Sequence, residues 1–224
     1  MSHEMPHQDS PESTNESENQ RQWRTKLAEV KERVDKAGGE MEPGIIEAVT
    51  ALNLHKFPTT MSCEGHLESG RKPYPWVSIE ALDRPDDHYS DETKIKQAIA
   101  DKYQIDVDDM WLDEHNDAYQ EASRLYEANG ETEEFKRWRE QNSELKKRME
   151  LLVSDYYQQA SALDQEYAVR IMPFGIRESF DIHTGGALVD DQEDSLERTP
   201  EALLKRQQAM QDFAEFLKRK YFES

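Results

Sequence analysis

A chain of 224 residues has room for one domain plus a tail or an insertion, at roughly 100–200 residues per domain. Its net charge of −20 opposes nucleic-acid phosphates and anionic lipid, so a general nucleic-acid or membrane binder is not expected. The one cysteine, Cys63, excludes an internal disulfide and a cysteine-rich zinc site and fits a reducing compartment.

No apolar run approaches the roughly 18 residues of a membrane span. Met1 to Gln20 lacks the basic-then-apolar pattern of a leader, and a cytoplasmic location is the expectation. Hydrophobic residues make up 35% of the chain and charged residues 34%, so a core requires apolar residues to be concentrated in periodic segments.

Residues 1–19 carry almost no apolar side chains and read as a disordered acidic tail that includes His3 and His7. Residues 20–224 read as a single α+β domain with a helical insertion at about 110–163. Trp23, Leu27, Val30 and Val34 recur at helical spacing until Gly38-Gly39. A second helix opens near Pro43 and carries Ile45, Ile46, Val49 and Leu52 on one face.

Phe57 to Met61 reads as a strand, and Trp76 to Ala81 as another with alternating faces. Ser90 or Asp91 can cap a helix bearing Ile95, Ile99 and Tyr103. Trp111, His115, Ala118, Ala122 and Leu125 form one stripe; Phe135, Trp138, Leu145, Met149, Leu152 and Tyr156 form the next. Together they suggest a charged helical hairpin that projects from the domain or pairs with another chain.

Tyr167 to Met172 and Arg177 to His183 read as a second strand pair around Pro173-Phe174-Gly175. Val189 to Arg198 reads as an acidic linker, and Thr199-Pro200 opens a last helix with Leu203, Met210, Ala214, Leu217 and Tyr221 inward. Two strand pairs outside any regular strand–helix alternation imply a small, mostly antiparallel sheet with flanking helices.

The run Thr59 to His66 places Ser62, Cys63, Glu64 and His66 within five residues beside Gly65, which permits a sharp turn. Three chemistries suit it. Cys63 is a candidate nucleophile with His66 as base, and Glu64 is a candidate for orienting a histidine. Cys63 and His66, with a distant His183 or His55, are one way to hold a metal, although no metal set is assigned. The loop amides at Ser62 and Gly65, with Arg170, Arg177 and His183 on the second hairpin, are candidates for a small anionic ligand. Against all three stands a structural role, with Cys63 a small buried hydrophobe.

The segment from Ile45 to Ile79 resembles a group of largely uncharacterised bacterial proteins. Their shared pattern is a helix ending in Ala-Leu-Asn, here Ala51-Leu52-Asn53, a T-x-x-S-C-x-G-H motif, here Thr59 to His66, and a strand opening at Pro75-Trp76-Val77. The resemblance covers about a sixth of the chain and implies no specific activity or cofactor. Ser62, Cys63 and Gly65 are also distantly similar to the Ser-Cys-x-Gly motif of the wybutosine-synthesising methyltransferase-like family, with His66 in place of its arginine. That similarity implies tRNA and S-adenosylmethionine.

The functional expectation is therefore a substrate or small-ligand pocket at the Cys63–His66 loop. The alternatives are a protein–protein interaction module acting through the helical hairpin, with homo-oligomers as one outcome, and a nucleic-acid-modifying protein.

Overall fold

The computed structural model describes residues 17–34, 39–159, 165–186 and 196–224. The chain is α+β, with six α-helices and one four-stranded antiparallel sheet among the described residues. The helices are α1 (Glu18–Lys31), α2 (Ile46–Leu54), α3 (Glu92–Tyr103), α4 (Asn116–Asn129), α5 (Glu133–Gln159) and α6 (Pro200–Glu223). The strands are β1 (Thr59–Cys63), β2 (Trp76–Ile79), β3 (Arg170–Pro173) and β4 (Phe180–His183), in the order β1-β2-β4-β3. The two expected strand pairs thus share one sheet, joined through β2 and β4. Of the expected tail, residues 1–16 lie outside the described residues, and α1 begins at Glu18 behind a Ser17–Gln20 capping box. Most of the expected acidic linker, residues 189–195, also lies outside them.

Residues opposite one another in the register share a face of the sheet. Val77 pairs with Ile182 and Ile79 with Phe180, and all four are buried in the main core. Alternation puts Trp76, Ser78, Asp181 and His183 on the other face. The apolar face packs against helices: Trp23 and Val30 from α1, Val49 and Leu52 from α2, and Phe213 and Leu217 from α6 join its cluster. The polar face is covered by Tyr74 and Leu196, with Trp76 and Met172 beside them.

The expected helical hairpin divides into two parts with different partners. Ala118, Ala122 and Tyr126 of α4 pack with Ile99 and Ala100 of α3 in a satellite cluster. The stripe Phe135, Trp138, Leu145, Met149 and Tyr156 of α5 lies in the main core. That stripe is covered by the chain's own core. Trp111 sits in a 3-10 turn and is 55% exposed, outside the stripe the sequence assigned it to.

Asn142 anchors α5 to the sheet. It is fully buried; its Oδ1 accepts from Ala81 N–H at 2.6 Å and its Nδ2 donates to the Arg177 carbonyl at 3.1 Å. One side chain thus satisfies a backbone group after β2 and another in the β3–β4 turn. Trp138 Nε1 donates to the Ala81 carbonyl at 3.0 Å one helical turn away. Asn142→Leu leaves the Ala81 N–H buried without a partner, at about 1–3 kcal/mol, and removes the bond to the Arg177 carbonyl in the exposed turn, at about 0.5–1.5 kcal/mol. Chemical denaturation of this variant is expected to show a loss of roughly 2–4 kcal/mol with an unchanged m-value.

Candidate functional site

The first strand runs two residues later than its apolar pattern suggests, from Thr59 to Cys63, so Ser62 and Cys63 lie in β1 rather than in a loop. A register shift between Thr59 and Met61 marks a bulge. Beyond Cys63 the chain turns at Gly65, whose φ is +86°. A Cβ there would stand 2.7 Å from the Tyr74 carbonyl carbon, so glycine is required both for the turn and for the close approach of residues 74–75. His66 N–H donates to the Lys72 carbonyl at 2.9 Å and closes the loop. From behind, the buried Arg206 of α6 donates to the Pro73 carbonyl, and Arg198 to the Arg71 carbonyl.

Glu42 was not singled out from the sequence, and it organises the site. It precedes the Pro43–Ile45 turn that leads into α2. Its Oε1 accepts from His66 Nε2 at 2.6 Å and its Oε2 accepts from Glu64 N–H at 2.6 Å. Cys63 Sγ lies within 4.8 Å of the same carboxylate and of the His66 ring. Burial pushes the Glu42 pKa up, but the Glu64 amide and His66 outweigh it, and the net value is lowered. Glu64 answers in the opposite direction, its Oε2 accepting from Gly44 N–H at 2.7 Å. Glu64 therefore orients the segment before α2, and the carboxylate on His66 is that of Glu42.

This arrangement does not favour a base-activated nucleophile. His66 Nε2 is engaged by Glu42, and Cys63 is half-buried beside the same negative charge. Burial first, then Glu42, raise the thiol pKa, against the Gly65 N–H that donates to Sγ at 3.4 Å. The group that sequence spacing pairs as thiolate and imidazole is a thiol and an imidazole sharing one carboxylate.

A cavity of about 630 Å³ opens alongside. All five residues of β1 line it, with Val34, Met41, Gly70 and Trp76, and three cations, Arg33, Arg71 and Lys72, converge on it against two carboxylates, Glu40 and Glu42. Val34 lies beyond the end of α1 and is 63% exposed, which is why its helical spacing misled. The Arg33 guanidinium donates, among the described residues, to the neutral Thr59 and Asn53 side chains. Among the described residues, neither Arg33 nor Arg71 has a carboxylate within ion-pair distance. Lys72 Nζ lies 3.7 Å from Asp181 Oδ2 and 5.1 Å from the centre of the Trp76 ring.

The arginines expected on the second hairpin stand elsewhere. Arg170 pairs across the sheet with His183, which pairs with Trp76, which pairs with Cys63. At about 4.8 Å per strand, Arg170 lies three strands from Cys63, roughly 14 Å away. Arg177 sits in the turn beyond Pro173, at the opposite end of the sheet from Cys63. His183 shares the sheet face and row of Cys63 but is separated from it by Trp76. His55 Nε2 meets the Leu217 carbonyl at 2.8 Å and faces α6.

His183 is fully buried and its Nδ1 accepts from Gly185 N–H at 3.2 Å, which places the proton on Nε2, an atom with no hydrogen-bond partner among the described residues. Burial, then the charges of Lys72 and Arg170, lower its pKa to about 4. Two residues earlier Asp181 is 1% exposed, and burial raises its pKa despite a hydrogen bond from Ser78 Oγ and the charge of Lys72.

Comparison with protein-family models, with curated proteins and with solved structures finds no match. The site is therefore read from its own geometry.

Between the ordinary histidine pKa and about 4, the unfolded chain binds a proton at His183 that the folded chain refuses, so stability falls as the pH drops through that window. The raised Asp181 value has the opposite sign, since it contributes stability at low pH that is lost as the pH rises. In His183→Asn the amide oxygen can replace Nδ1 without titrating. Comparing denaturation at pH 7 and pH 5, wild type is expected to lose about 2 kcal/mol more than the variant. Equal losses would show that His183 is not held neutral.

Proposed function

We propose that the cavity beside Cys63 is a binding pocket for a small anionic ligand. The observation that carries this is the convergence of Arg33, Arg71 and Lys72 on one cavity in a chain of net charge −20. On such a surface Arg33 and Arg71, neither of them ion-paired among the described residues, run against the bulk field beside the Asp181-paired Lys72, and a concave site focuses that field on whatever enters. The volume of about 630 Å³ falls in the usual range for small-molecule sites. Trp76, Met41, Met61 and Val34 supply an apolar wall, so the ligand that fits carries an acidic group and an apolar or flat remainder. The cations are gathered in one cavity and not spread along a face, which favours a small anion over a nucleic-acid backbone.

The pocket lies at the Cys63–His66 loop, where the sequence motif points, but its charge comes from other residues. Arg71 donates from the loop and Arg33 from the end of α1, in place of Arg170 and Arg177. Ser62 lines the wall, whereas Gly65 serves the turn.

Calorimetric titration of the chelator-treated protein with inorganic phosphate, and separately with benzoate, tests the reading. Binding that weakens about tenfold in the exposed Arg71→Ala, and weakens further with added salt, is expected for a charge-assisted contact. Absence of binding by both anions, or affinity unchanged by Arg71→Ala, would overturn it.

A further inference from the structure

We propose that Glu42, Cys63 and His66 bind a zinc-class divalent cation in the wall of this cavity. A carboxylate, a thiolate and an imidazole are the three donor types that zinc takes. One ligand atom from each of the three residues lies within 4.8 Å of the other two. In a tetrahedral site with bonds of about 2.0–2.3 Å, neighbouring donors stand roughly 3.3–3.8 Å apart. The Glu42–His66 contact at 2.6 Å must open to reach that spacing, a movement on the scale of a side-chain adjustment.

The backbone around the ligands is held by bonds that a cation would not disturb. Glu64 grips Gly44 next to Glu42, and His66 N–H stays on the Lys72 carbonyl. With Nε2 toward the cluster, Nδ1 of His66 lies 3.8 Å from the exposed Glu68 Oε2, an ion-pair separation that must shorten before that carboxylate can orient the ring as the second partner of a ligating histidine. The three ligands come from the entry to α2, the end of β1 and the following loop, so the site is assembled by the fold rather than by one flexible segment.

Three protein ligands leave a fourth position. Glu42 and Cys63 both line the cavity, so that position faces the space where Arg71 stands. A thiolate and a carboxylate together neutralise a dication, which leaves Arg33, Arg71 and Lys72 to meet the charge of an incoming anion. For the occupant of the fourth position, the inference rests on the pocket reading above; for the three protein ligands it does not.

The test is anaerobic titration of the chelator-treated full chain with Co²⁺. One equivalent is expected to bind with a thiolate-to-cobalt charge-transfer band and the strong d–d bands of four-coordination, and Zn²⁺ is expected to displace it. Cys63 is the single cysteine, so such a band can come from no other residue. Cys63→Ser is expected to abolish the band, and His66→Ala and Glu42→Gln to weaken Co²⁺ binding tenfold or more. If those variants do not fold, as judged by circular dichroism, the wild-type spectrum still decides.

A folded wild type that gives no charge-transfer band, or one that takes up cobalt through other histidines and carboxylates without the band, would overturn the inference. So would a band unchanged in a folded His66→Ala. Phosphate binding lost in Arg71→Ala without a cobalt band would leave the pocket standing and remove the metal. A cobalt band in a protein that binds neither phosphate nor benzoate would do the reverse.

Discussion

Two carboxylates exchange backbone amides, and the site depends on that exchange. Glu42 takes the amide of Glu64, and Glu64 takes the amide of Gly44. Each bond is charge-assisted and part-buried, so each is stronger than a bond between neutral groups. Together they lock the entry of α2 to the exit of β1, two segments about twenty residues apart in sequence. With that register set, Cys63, His66 and the Glu42 carboxylate have no choice but to meet. Gly44 is part of the same device, since a Cβ there would stand 2.7 Å from the Glu64 carboxylate oxygen.

The sheet extends the logic from the clasp to the surrounding charges. One face carries Val77, Ile79, Phe180 and Ile182 into the core and supplies the hydrophobic stabilisation. The other face carries Ser78, Asp181 and His183, buried at some cost and met by few partners. Lys72 connects this face to the cavity, because its ammonium lies near Asp181 and above Trp76 while lining the pocket wall. The groups beneath the pocket are thus partly compensated by a residue of the pocket itself.

Strand pairs, helix positions and the α+β class were legible because periodicity and breakers act locally. Thr199-Pro200 caps α6 as its sequence implies, the Thr199 hydroxyl accepting from Ala202 N–H. The failures are at places where distant segments decide. Periodicity carries α1 through Val34, but the helix stops at Lys31. The stripes on α4 and α5 are real, yet nothing in their spacing says that one faces α3 and the other the main core. At the site, the motif brings Cys63 and His66 together with Glu42. Its charge partners were invisible, because Glu42 and Arg33 arrive through tertiary packing and neither stands in a distinctive sequence context. An acidic residue just ahead of a helix-opening Pro-Gly pair was the one signal that pointed toward Glu42.

The order β1-β2-β4-β3 leaves β1 with a neighbour on one side only among the described residues. All five of its residues line the cavity, so the strand that walls the proposed pocket is also an edge to which a foreign strand can add. The bulge near Thr60 breaks the regular ladder there, and the three cations repel copies of themselves. An occupied pocket covers what remains of that border and draws the chain toward its folded state by mass action. In the proposed reading, recognition of a small molecule and protection from self-assembly fall to the same stretch of backbone.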